Sequence, residues 1–61
     1  MAFYEYVGKD PAGVPRVFGC SHESATTAAE ECKTAILEYL RRRPDTGPAD
    51  KWTVLPRSFM A

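Results

Sequence analysis

The sequence predicts a two-layer α+β domain of order ββαβ, with one helix packed on a three-stranded, largely antiparallel sheet. Three observations carry that prediction. Residues 24–43 repeat apolar side chains at spacings of three and four, and Pro44 closes the run. Two short runs rich in aromatic and β-branched residues, 2–7 and 14–20, flank a turn of sequence Asp-Pro-Ala-Gly. A third such run, 51–55, follows the helix after a loop rich in proline and glycine. Sixty-one residues make a single small domain, 1–61, with room for one such helix against one small sheet.

The first strand, 2–7, puts Phe3, Glu5 and Val7 on one face and Tyr4 and Tyr6 on the other. In the turn, Asp10 suits the first position, Pro11 presets φ at the second, and Gly13 takes the last. The chain then reverses into 14–20. There Val14, Arg16, Phe18 and Cys20 alternate with Pro15, Val17 and Gly19, and Pro15 marks an edge or a strand beginning. Ser24 is an N-cap for the helix, and Thr27 with Glu30 fits a capping box one turn later. The apolar stripe is Ala25, Ala28, Ala29, Cys32, Ala35, Ile36, Tyr39 and Leu40. Its first half is small, so the helix can approach the sheet closely there. Acids near the helix start and Arg41-Arg42-Arg43 at its end suit the helix dipole. In 51–55, Trp52 and Val54 oppose Thr53 and Leu55. Pro56 ends that strand, and 56–61 is a tail carrying the apolar Phe59 and Met60.

Composition narrows the function. Hydrophobic residues make up 44% and charged ones 26%, which is globular and not disordered. Eight basic and eight acidic residues cancel, and that argues against a strongly nucleic-acid-binding domain. No stretch approaches a membrane span or a signal peptide, so a soluble cytoplasmic protein is expected. A core of this size often leans on disulfides, a metal or a partner chain. With two cysteines and one histidine, a partner chain is the remaining support.

Chemistry-bearing residues are few. Cys20, His22 and Cys32 lack the paired spacings of a structural zinc site, so no metal and no cofactor is expected. A Cys20–Cys32 bridge is open to the sequence and disfavoured in a reducing compartment. Cys20 and His22 have no orienting third group for nucleophilic catalysis, and the chain is short for a substrate pocket. A non-catalytic protein without a small-molecule substrate is expected. If Phe3 and Val7 face the helix, Tyr4 and Tyr6 stand together on the open sheet face. Tyrosines there can cover a protein partner or stack bases.

The order of elements resembles the HicB-type antitoxin domain. The residues that carry the resemblance are Tyr4 and Tyr6 in the first strand, Asp10 and Gly13 in the turn, and Gly19-Cys20 at the end of the second strand. Ser24 stands as helix cap, followed by Ala28, Cys32, Ala35, Ile36, Tyr39 and Leu40 as the stripe. The chain has no helix-turn-helix or ribbon–helix–helix segment after the third strand. The resemblance therefore implies the partner-binding half of an antitoxin, a half without catalytic residues. The expected function is a small interaction module that covers a partner protein or pairs with a second copy, through Tyr4, Tyr6, Trp52, Phe59 and Met60. A mobile-element inhibitor would use the same physics. The alternative is RNA or single-strand binding through Tyr4, Tyr6, Arg16, Lys51, Arg41, Arg42 and Arg43.

Overall fold

The computed structural model describes the backbone of residues 2–60 and the side chains of residues 2–57. Strands β1 (Phe3–Lys9) and β2 (Pro15–Ser21) form a hairpin. Helix α1 (Ala25–Arg42) follows, then two single-turn 3-10 helices, Pro44–Thr46 and Ala49–Lys51, and strand β3 (Thr53–Met60). The sheet order is β2-β1-β3, antiparallel throughout, with the helix against one face. This is the ββαβ architecture that the residue pattern predicts.

The local chemistry explains each joint. Gly13 sits at φ 85°, a left-handed conformation that costs glycine nothing, and its N–H donates to the Asp10 carbonyl at 2.8 Å. The Asp10 carboxylate ties the same turn together. It accepts from the N–H groups of Ala12 at 3.0 Å and Val14 at 2.9 Å, and from Arg16 Nε at 2.9 Å. These bonds, chiefly those from Val14 and Arg16, hold the carboxyl below its ordinary range. At the start of α1, the Ser24 hydroxyl accepts from Thr27 N–H at 3.0 Å, which fixes Ser24 as the N-cap. Arg43 caps the other end, its N–H donating to the Tyr39 carbonyl. Arg41 and Arg42 occupy the last turn and complement the dipole. The first turn holds no acid, because Glu30 and Glu31 lie beyond it.

Two glycines set which face of the sheet the helix covers. A Cβ on Gly19 would strike the Cys32 backbone nitrogen and come within 2.5 Å of the Ala28 carbonyl oxygen. One on Gly8 would come within 3.1 Å of Ile36. The helix thus lies directly on Gly19 and reaches Gly8. Gly19 is the cross-strand partner of Tyr6, and Gly8 that of Val17. By strand alternation, Tyr4, Tyr6, Gly8, Val17 and Gly19 share the helix side, and Phe3, Glu5, Val7, Phe18 and Cys20 the open side. The small residues of the stripe permit this approach, since Ala28 and Cys32 are wholly buried and Ile36 nearly so.

The end of the chain corrects the expectation of a tail. β3 does not stop at Pro56 but runs on to Met60, pairing Phe59 with Tyr4 and Met60 with Phe3. Two features make this possible. β3 is an edge strand, where the missing proline N–H can face away from the ladder. The register also shifts between Glu5, opposite Ser58, and Tyr6, opposite Pro56, so Arg57 is an extra residue in a bulge beside the proline. A second shift makes Arg16 the extra residue between Pro15 and Val17. That bulge turns Pro15 to the open side and frees Arg16 to reach Asp10. Among the described residues, no helix is long and apolar enough to cross a membrane.

Candidate interaction face

The open side of the sheet carries one apolar row across all three strands. Phe18 on β2, Val7 on β1 and Leu55 on β3 are successive cross-strand partners. With strands about 4.8 Å apart, the row spans about 10 Å. Phe18 is 49% exposed and Leu55 39%, and between them Val7 is only 8% exposed. Pro15, Pro56 and the stems of Lys9 and Arg57 complete a shallow depression around the row. Scattered apolar side chains are ordinary on a protein surface, but a contiguous patch marks a contact surface.

The rim is charged and ordered. Arg57 lays its guanidinium over the Phe18 ring, with Cζ 5.0 Å from the centroid, and Nη1 donates to Glu5 Oε1 at 3.3 Å. The cation thus rests on the aromatic face and is steered by a carboxylate on the neighbouring strand. Lys9, on the same side, has no acidic partner among the described residues. The patch is therefore an apolar bar with a cationic excess at its edge.

The structure distributes the residues expected to act there differently. Tyr4 and Tyr6 lie on the helix side of β1 and not on the open side, because the glycines that admit the helix share their face. Trp52 is 8% exposed and belongs to the core. Its ring meets Tyr39 edge-on at 5.5 Å, and Nε1 donates to the Thr46 carbonyl at 2.9 Å. Phe59 and Met60 are strand residues by backbone, and their side chains lie outside the described residues. The basic residues of the nucleic-acid alternative do not converge. Arg16 is tied to Asp10 at the hairpin turn, Arg41 to Glu38 at 3.3 Å and Arg43 to Asp45 at 4.0 Å, while Arg42 ends α1 and Lys51 lies in the second 3-10 turn.

The two cysteines are free and lie on opposite sides of the sheet. Cys20 is exposed on the open side. Cys32 is wholly buried on the sheet-facing side of α1, and burial pushes its thiol pKa up. His22 Nδ1 lies 3.1 Å from the Ala2 carbonyl oxygen and its ring 5.2 Å from Phe3. Among the described residues, no three of His, Cys, Asp and Glu gather where they could hold a metal ion.

Phe18, Leu55, Val7 and Arg57 are the residues that sequence reasoning missed. The signal was present in Gly8 and Gly19, which stand two residues from Tyr6 on β1 and opposite it on β2. A strand face that carries glycine is the face a helix can approach most closely. Comparison with protein-family models, curated proteins and solved structures returns no match.

Proposed function

We propose that this chain is a small, non-catalytic protein-interaction module whose open sheet face covers a partner protein. The observation that carries this reading is the row Phe18–Val7–Leu55, an apolar bar on the face the helix leaves bare. Arg57, stacked on Phe18 and held by Glu5, supplies an ordered arginine at the rim, a residue type enriched in protein interfaces. With Lys9 beside it, the complementary surface is apolar with an acidic margin. The mechanism is occlusion: the flat face buries a working surface of the partner. The resemblance to HicB-type antitoxin domains points the same way, since the corresponding half in that family binds a partner protein. A cytoplasmic setting and a soluble state belong to the same proposal.

The test uses a photoactivatable phenylalanine analogue at position 18, with position 26 on the exposed back of α1 as control. We expect a single protein adduct at position 18 in the native host, competed away by unlabelled wild type but not by Phe18→Asp. The purified partner should then bind Phe18→Asp or Leu55→Asp more than about tenfold more weakly than wild type, the loss expected of an aromatic or aliphatic anchor. No adduct at position 18, or undiminished binding by both variants, overturns the reading. Strong binding of RNA or single-stranded DNA at low salt without any protein adduct would favour the nucleic-acid alternative instead.

A further inference from the structure

The helix is not centred on the sheet. It packs on β2 and β1 and barely touches β3, which leaves a groove on the helix side along β3. The groove encloses about 320 Å³ and is lined by Ile36, Leu37, Ala49, Trp52 and Val54, with Lys33 and Asp50 at its charged margin. Leu37 projects from it at 57% exposure, the most exposed large apolar side chain among the described residues. The cavity reaches the lower end of ligand-pocket size, but such pockets orient their ligands with a few placed polar groups, and this lining is almost wholly apolar. An added peptide strand is a poor occupant as well. Pro56 interrupts the β3 edge and offers no N–H to a ladder.

We propose that a second copy of this chain fills the groove. In a two-fold pair, Leu37 of each copy enters the groove of the other, so the surface supplies both the knob and the hole. The margin is self-complementary too. Lys33 on α1 and Asp50 in the second 3-10 turn have no ion-pair partner among the described residues and carry opposite charges at the margin of the same groove, so a two-fold axis passing between them sets Lys33 of each copy against Asp50 of the other. Closing the groove also covers the groove-lining edges of Trp52 and Ile36, two residues of a marginal core. The groove lies on the opposite side of the sheet from the Phe18 row, so this pairing is independent of the proposed partner face.

Sedimentation equilibrium of the full chain tests the proposal. Wild type should dimerise reversibly below about 1 mM. Leu37→Glu, at an exposed position where a good helix former does not threaten folding, should weaken the dimer more than about tenfold. Lys33→Glu and Asp50→Lys should each weaken it about three- to tenfold, and the double reversal should restore it, because only the cross-pair is exchanged. Phe18→Asp should dimerise as wild type. A monomeric wild type at about 1 mM overturns the proposal. So does indifference to Leu37→Glu, failure of the double reversal to recover, or a dimer lost by Phe18→Asp instead.

Discussion

Replacing Gly19 by alanine adds one methyl group where, of the four glycines, a Cβ would meet the closest neighbour. An ideal Cβ there would lie 2.5 Å from the Ala28 carbonyl oxygen and 2.7 Å from Cys32 Cα, with the Cys32 backbone nitrogen closer still. Non-bonded carbon atoms rest at about 3.5–4.0 Å, so the helix must lift by about 1 Å. The obstacle is helix backbone, and no side-chain rotation can clear it. Lifting α1 separates Ala28, Cys32 and Ile36 from the sheet together. Overpacking typically costs about 1–3 kcal/mol, and a backbone clash belongs at the upper end. A chain of this length has about 3–9 kcal/mol of stability in all. At about 4–8 °C per kcal/mol, the thermal midpoint should fall by about 12–24 °C, read by circular dichroism alongside urea unfolding. Two other glycines calibrate the effect. At Gly8 a Cβ meets Val17 Cγ2 at 2.6 Å and Ile36 Cδ1 at 3.1 Å, side-chain atoms that can yield, so Gly8→Ala should cost less. Gly13 has nothing within 4 Å and a φ of 85°, so Gly13→Ala should cost about 1 kcal/mol of backbone strain alone. A Gly19→Ala variant that unfolds within about 0.5 kcal/mol of wild type, the scatter of an ordinary surface change, would show that α1 does not rest on Gly19.

Two further outcomes follow from the same geometry. Asp10 has a folded-state pKa below its ordinary 3.8, so its contribution is complete above that value and disappears as pH falls through the lower folded one. Wild type should therefore lose more thermal stability than Asp10→Asn between about pH 4 and pH 2, and equal acid sensitivity would contradict the role of the carboxylate in the turn. The cysteines should separate by a factor set by opening of the fold: a thiol reagent should modify the exposed Cys20 at once and Cys32 only through unfolding, so prompt double labelling of native protein would show that α1 is not seated as described.

Much of the fold is legible in local pattern. The helix occupies 25–42 against an expected 24–43, and the hairpin turn closes on Asp10 and Gly13 as their chemistry suggests. These features depend on residues within a few positions of one another, where spacing and capping speak directly. β3 was legible only over 53–55: Lys51 closes a 3-10 turn with Trp52 as its cap, and Pro56 reads as a terminator unless the strand is known to be an edge with a bulge next to it. The candidate site was less legible. Alternation sorted Tyr4 and Tyr6 from Phe3 and Val7 correctly, but a period of two does not say which set meets the helix. The larger aromatic side chains on both sides made the alternatives look alike, and the decision fell to two residues with no side chain.

Length, the turn at Asp10, the Ser24 cap and the three-and-four stripe were enough by themselves to determine one helix on a small antiparallel sheet. Only the tertiary structure decided that the helix covers the Tyr4–Tyr6 side, that it sits off-centre towards β2, and that Phe18 and Leu55 remain outside. The physical reason is steric and non-local. The sheet offers the helix its closest seat where Gly8 and Gly19 come together across two strands, and that meeting exists only once the hairpin has formed in its register.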